Sequence, residues 1–340
     1  MRAISSIFTR VAERFLPDAF VFVFFLSALT FVLGMAQGYG AATVAEFWGQ
    51  GFFKILTFTA QATLVLATGF ALAHTPLVHT ALVAFARIPR NEVQIIILTT
   101  LVMMACSLFS WGFGLVAGAI VARQMGIVHR GKVHYPLIVA ATYSGFLVWH
   151  GGYSGAIPTI IATTGHFLED TMGVVPVSET LLSGTNLLII LCLAVIVPLV
   201  NTMMRPKDAA ERKSIPADVD DIDEAPEPAA SPSTEGATGN HPRMTGRTPA
   251  EWLERNRFVT LILGLLASLY LITYIANGGV VTLNSVILSF FALGLLLTPN
   301  AHAYSQSFQG GAKASYGIIL QFPFYGGIMG MMTGTGLAAA

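Results

Sequence analysis

Residues 93–121 read VQIIILTTLVMMACSLFSWGFGLVAGAIV, 29 residues without one Asp, Glu, Lys or Arg. A membrane-spanning helix needs about 20 mainly apolar residues, so this run exceeds one crossing. Its middle, Ser110-Trp111-Gly112-Phe113-Gly114, is polar and glycine-rich. A second run of the same length, 136–164, is PLIVAATYSGFLVWHGGYSGAIPTIIATT, interrupted at His150-Gly151-Gly152-Tyr153-Ser154-Gly155. Inside lipid, irregular backbone is tolerated only where it faces protein or a water-filled cavity. Two such breaks at similar depth imply a shared polar cavity.

The surrounding composition agrees. Of 340 residues, 54% are hydrophobic and only 11% charged, where soluble domains carry about 25% charged residues. So few charges cannot cover an ordinary aqueous surface, and the composition implies an all-α membrane protein, a polytopic helical bundle in a lipid bilayer. The formal net charge is zero, so nothing points to nucleic acid. Cys106 and Cys192 lie inside apolar runs, a pattern of packing and neither a disulfide framework nor a zinc site. No nucleotide loop, metal-ligand cluster or nucleophile elbow is present, which argues against an enzyme and against a cofactor. The run after Pro17 is too long for a signal-peptide core and continues into a span.

Candidate spans are 19–38, 52–73, 93–121, 136–164, 185–204, 258–276, 281–298 and 312–334. Cytoplasmic loops collect Lys and Arg. The N-terminus holds Arg2, Arg10 and Arg14; loop 74–92 holds Arg87 and Arg90; loop 122–135 holds Arg123, Arg130 and Lys132; segment 205–257 holds eight bases; loop 165–184 holds none. If 93–121 crosses once, the bases split across both faces. If it enters and leaves on one side, every Lys and Arg except Lys54 is cytoplasmic. The charges therefore predict a re-entrant helical hairpin, 93–121, with its tip at 110–114, succeeded by a broken helix, 136–164. The N-terminus is placed in the cytoplasm of a multi-pass protein.

Residues 1–204 then form a first transmembrane repeat. Segment 205–257, rich in Pro, Ala, Ser, Asp and Glu, is expected to be a disordered cytoplasmic linker. The unit 258–280 is one extra crossing that inverts the orientation of the helices after it. Residues 281–340 are a partial second repeat, an inverted-repeat transporter plan with its second half incomplete. Gly51-x-x-Lys54 with Gln61 after it, and Gly310-x-x-Lys313 with Gln321 after it, mark corresponding helix starts.

Half-helix N-termini offer free N–H groups and partial positive charge to an anion. The expected spans contain no Asp, Glu or Arg, so no guanidinium would clamp a carboxylate there. A single small monocarboxylate held by backbone amides and hydroxyls fits best. The candidate binding residues are Gln61, Ser110, Trp111, Gly112, Phe113, Gly114, Gly151, Gly152, Tyr153, Ser154, Gly155 and Gln321. Trp111, Phe113 and Trp149 either shape a pocket for a short alkyl tail or simply pack. His150 is the titratable group at a break and could couple a proton; a neutral histidine bonded to a carbonyl is the plainer alternative. Sodium held by carbonyls also stays open. His74 and His79 lack nearby carboxylates that would make a metal site.

Four stretches together resemble the bacterial short-chain fatty acid transporter family: Arg14-Phe15-Leu16-Pro17-Asp18; Ser110-Trp111-Gly112-Phe113-Gly114-Leu115; Phe146-Leu147-Val148-Trp149-His150-Gly151-Gly152-Tyr153-Ser154-Gly155; and Gln321-Phe322-Pro323-Phe324-Tyr325. The likeness runs along the chain except for 205–257. It implies a symporter of the bacterial inner membrane that takes up acids such as acetoacetate or butyrate with H⁺ or Na⁺. It also implies a longer chain, with a second hairpin and broken helix, and a glycine where this sequence has His150. A carrier for another small organic anion such as a dicarboxylate, or a non-transporting membrane scaffold, are the competing readings. A homo-oligomer is compatible with the sequence.

Overall fold

The computed structural model describes residues 17–162, 169–206, 208–217, 219 and 249–338. Their regular structure is helical. In chain order the helices are α1 (Ala19–Ala36), α2 (Ala41–Lys54), α3 (Leu56–Ala73), α4 (Pro76–Phe85), α5 (Glu92–Phe109), α6 (Trp111–Val128) and α7 (Tyr135–Ser144). A 3₁₀ segment, Gly145–Gly151, leads to α8 (Ala156–Ile161), α9 (Glu169–Met172) and α10 (Gly184–Met203). A 3₁₀ turn at Ala209–Glu211 precedes α11 (Pro249–Arg255), α12 (Arg257–Ala276), α13 (Leu283–Leu297), α14 (Ala301–Ala314) and α15 (Tyr316–Gly334).

Among the described residues, six helical stretches are long and apolar enough to cross a membrane: Ala19–Ala36, Ala41–Ala73, Glu92–Phe109, Trp111–Val128, Gly184–Met203 and Arg257–Ala276. Only 11% of the last two is buried within the protein. Leucines, isoleucines and aromatics such as Leu188, Leu191, Leu266, Tyr270 and Ile272 stand exposed along them. In water such surfaces would aggregate; in lipid they are the outer face. The molecule is a polytopic helical membrane protein.

The chain divides into two compact units. The first comprises the described parts of Met1–Thr63 and Ser315–Ala340. Asp18 caps α1 by accepting from the Phe20 N–H at 2.8 Å. Helix α15 carries Gly326, Gly330 and Gly334 four residues apart, and α2 carries Gly51. A Cβ on Gly51 would stand 2.8 Å from the Gly330 Cα. The two helices therefore meet backbone against backbone, the small-residue packing that membrane helices use where apolar burial cannot drive association. Around this seam the Phe324 ring meets Phe20, Phe52 and Trp48 at centroid distances of 5.4, 5.6 and 5.9 Å. Phe58 at the start of α3 stacks on Phe322 at 5.8 Å.

The second unit is Leu64–Ala314. Its centre is an antiparallel pair of helices, α5 and α6, turning at Ser110. Gly114 lies against Ser107, and Gly118 against the Met103 sulfur and Thr142. The pairs 107/114 and 103/118 sit symmetrically about the turn, which is the signature of a hairpin. Further from the tip, Ile95, Ile96, Val121, Ala122 and Met125 join Ile138 and Ala141 of α7 in one buried cluster. Asn201 of α10 ties three helices together, donating to Thr100 Oγ1 at 3.2 Å and Ser144 Oγ at 2.7 Å. The end of α3 is gripped closely: a Cβ on Gly112 would stand 2.8 Å from the Leu66 Cα, and one on Gly311 2.6 Å from the Ala67 Cα.

The structure revises several sequence boundaries. The tip is tighter than 110–114: Ser110 alone leaves the helix (φ −156°, ψ 127°), and Trp111–Gly114 form the first turn of α6. The second arm runs to Val128, so each arm has 18 residues, about 27 Å at 1.5 Å per residue. This is longer than the part-span arms expected, and it takes Arg123 into a helix. The expected loop 39–51 is mostly helix α2, and the stretch before 312 is helix α14. The break in 136–164 starts earlier than His150, where Gly145 opens the 3₁₀ segment. Residues 163 and 164 of that span lie outside the described residues, as do residues 1–16 with Arg2, Arg10 and Arg14.

Two stretches share a local geometry. Helix α2 has 14 residues, ends on Lys54, and kinks at Ile55 (φ −92°, ψ 0°) into the 18-residue α3. Helix α14 also has 14 residues with Lys313 in its last turn, and Ser315 (φ −89°, ψ 1°) kinks into the 19-residue α15.

Residues placed at the start of the linker do not hang free. Ile215 is 4% exposed. The Tyr135 N–H donates to Lys213 O at 2.8 Å, the Lys213 N–H to His134 Nδ1 at 3.0 Å, and the Gly131 N–H to Ser214 Oγ at 3.1 Å. Arg212 pairs with Glu92 at 3.1 Å, and the Arg130 guanidinium reaches the carbonyls of Pro216, Ala217 and Val219. This strap binds the open ends of the α5/α6 hairpin and the start of α7. Most of the remaining linker, 220–248, lies outside the described residues.

Candidate functional site

The tip of the hairpin and the break after α7 come together in the second unit. Helix α5 ends because Ser110 turns to extended backbone; its hydroxyl then accepts from the Phe113 N–H at 3.5 Å and caps α6. Such a cap satisfies one of the orphan donors at a helix start. On the other side, α7 tightens into the 3₁₀ segment, unwinds across Gly152–Gly155, and restarts as α8. The Ser154 N–H donates to Leu108 O at 3.2 Å, two residues before the tip. A Cβ on Gly152 would stand 2.6 Å from the Leu108 Cα, so only glycine allows the two backbones to touch there. The Gly155 N–H closes a turn on Gly152 O at 2.9 Å.

Of the residues singled out in the sequence, Ser110, Trp111, Gly112, Phe113 and Gly114 belong to this tip, and Gly151, Gly152, Tyr153, Ser154 and Gly155 to the facing break. Ser110 and Ser154 are 1% and 5% exposed; Trp111, Phe113 and Tyr153 are half-buried. Phe113 and Phe109 flank the tip and approach the buried Phe290 ring at 6.0 and 5.7 Å, an apolar wall beside the polar turn. His150 is exposed at the end of the 3₁₀ segment, its ring 3.7 Å from Trp149, which stacks on Phe146 at 5.4 Å. Gln61 and Gln321 belong to the first unit, where Gln321 accepts from the Tyr325 hydroxyl at 3.5 Å.

The structure adds residues that the sequence pattern does not single out. Ser107, fully buried beside the tip, has a hydroxyl without a hydrogen-bond partner. Asn186 donates from Nδ2 to Gly151 O at 2.8 Å and to Leu181 O at 2.7 Å, holding a carbonyl that the break frees. Its one signal in the sequence is a polar residue inside an apolar run. Arg123 does enter a candidate span, but it lies twelve residues beyond Trp111, about 18 Å along α6, and is no carboxylate clamp at the tip.

A family model described as Short chain fatty acid transporter matches residues 1–340. The chain belongs to the short chain fatty acid transporter family. Among its relatives, a protein of Escherichia coli (strain K12) named "Putative short-chain fatty acid transporter" is 37% identical over 336 residues, 98% of this chain and 73% of the relative. A Haemophilus influenzae (strain ATCC 51907 / DSM 11121 / KW20 / Rd) protein of the same name is 33% identical over 345 aligned positions, with the same shares covered. No solved structure matches the chain. Family membership makes this a transport protein of the membrane and not an enzyme, and a transporter of this family would handle a monocarboxylate.

Proposed function

We propose that this member of the short chain fatty acid transporter family is a secondary carrier that moves a short-chain monocarboxylate such as acetoacetate or butyrate across the bacterial inner membrane, in symport with H⁺ or Na⁺. The observation that carries the reading is the hydrogen bond from the Ser154 N–H to Leu108 O. It joins two interruptions of helical backbone in one place. An unwound segment in a membrane helix leaves amides and carbonyls without helical partners, and such groups persist where they serve a polar solute. The start of α6 adds a positive helix end. Substrate is held at Ser110–Gly114 and Gly151–Gly155 through hydroxyls and the amides not already bonded within the protein, with the apolar tail toward the Phe109, Phe113 and Phe290 wall.

The matching kinks at Ile55 and Ser315 support an inverted-repeat architecture in which α1–α3 and α13–α15 are counterparts. The N-terminus is cytoplasmic on the charge argument. For proton coupling, His150 is the titratable side chain at the break.

Counterflow in proteoliposomes tests this function. Vesicles preloaded with unlabelled butyrate are expected to accumulate labelled butyrate or acetoacetate, with a pH or Na⁺ gradient driving net uptake. Vesicles that exchange neither acid would refute the reading. Under proton coupling, His150→Gln is expected to retain exchange and lose the response to a pH gradient.

A further inference from the structure

Buried hydroxyls among the described residues behave in two ways. Thr68, Thr99, Thr142, Thr298 and Thr335 each donate to a carbonyl four residues back on their own helix, at 2.6–2.8 Å. This is the usual fate of a hydroxyl in a membrane helix. Ser107 and Ser154 do neither this nor anything else: they are 0% and 5% exposed and their Oγ atoms have no hydrogen-bond partner. A buried hydroxyl without a partner is costly. Ser27, Thr180 and Tyr304 also carry buried hydroxyls without a partner, but Ser107 and Ser154 are the two that occur together. They bracket one residue, because Ser107 precedes Leu108 and the Ser154 N–H is bonded to Leu108 O at 3.2 Å.

Ser110 differs from both. Its hydroxyl oxygen accepts from the Phe113 N–H at 3.5 Å as the cap of α6, so it also shapes the turn. Gly114 packs beside Ser107: a Cβ there would stand 2.9 Å from Ser107 Oγ and 3.0 Å from Ser107 N, so glycine lets the two arms approach next to this hydroxyl.

We propose that Ser107, paired with Ser154, is a specificity-determining residue of the substrate site, each hydroxyl donating one hydrogen bond to the carboxylate, while Ser110 serves as the structural cap. This rests on the carrier reading above. Two neutral hydroxyl donors in place of an arginine suit one small monocarboxylate. They match the two oxygens of a single carboxylate and leave a second, distant carboxylate without a partner. Charge-assisted hydrogen bonds to such an acceptor are the stronger kind.

The test is butyrate binding, by calorimetry, to the full chain in nanodiscs, with thermal unfolding measured on the same samples. Wild type is expected to bind butyrate. Ser107→Ala is expected to lose about tenfold or more in affinity with unfolding temperature unchanged or raised, since an unsatisfied hydroxyl is gone. Thr99→Val, which removes a hydroxyl on the same helix that is closed on Ile95 O, is expected to keep wild-type affinity. Ser107→Thr provides a second variant: its hydroxyl is expected to fold back on the helix and affinity to fall as in Ser107→Ala. Wild-type affinity in Ser107→Ala, whatever its unfolding temperature, overturns the inference and leaves the carrier reading intact. A wild type that binds no butyrate overturns the carrier reading and this inference with it.

Discussion

Gly152 shows how much rests on one missing methyl group. Its Cα faces the backbone of Leu108 so closely that an added Cβ would stand 2.6 Å from the Leu108 Cα. Overpacking of this kind costs about 1–3 kcal/mol, and here the strain falls on the junction of tip and break. Gly152→Ala is therefore expected to abolish butyrate uptake while the protein still inserts in the membrane. Gly184→Ala, where the added Cβ meets nothing within 4 Å, is expected to transport like wild type; equal uptake in both variants would refute the close junction. The sequence makes Gly152 stand out as part of a glycine-rich interruption. It does not make Ser107 stand out, because a serine in an apolar helix looks like any hydroxyl that bonds its own carbonyl. Only the fold shows that Ser107 does not.

At the scale of elements, the hairpin is legible in the sequence and the short amphipathic helices are not. Residues 93–121 suggest a turn because one there would let the flanking bases share a face, and the structure has α5 and α6 turn at Ser110. Helices α2 and α14 carry Glu46, His302, Lys54 and Lys313 together with several glycines, so apolar periodicity gives no span and the stretches pass for loops. The strap at 208–217 and 219 reads as linker for a similar reason. Its composition is polar, and its hold on α5, α6 and α7 comes largely through backbone groups that no side-chain pattern announces. Asn186 is the element-scale counterpart of the break. In an apolar environment the carbonyls it satisfies would otherwise cost about 1–3 kcal/mol each. Asn186→Leu is expected to lower the unfolding temperature and weaken transport together, because Gly151 O and Leu181 O lose their donor. Asn186→Gln, which restores an amide, is expected to recover part of both. Unchanged unfolding and transport in Asn186→Leu would remove that role.

For the whole molecule, the proposed topology has α5 and α6 return to the face they left, so that Arg90 and Lys132 share one side of the membrane. With Cys106 and Cys192 replaced by serine, single cysteines at Arg90 and Lys132 are both expected to react with an impermeant maleimide only from the cytoplasmic side. Reaction from opposite sides would break the topology and the inverted arrangement built on it. The central claim, however, is that hairpin tip and helix break are one place. Its most direct measurement is oxidative cross-linking of Leu108→Cys with Ser154→Cys, in the same serine background and in native membranes. The two residues are one hydrogen bond apart, inside the reach of a disulfide. Rapid, near-complete cross-linking under mild oxidant is predicted; two thiols that stay free while each reacts singly with maleimide would contradict it.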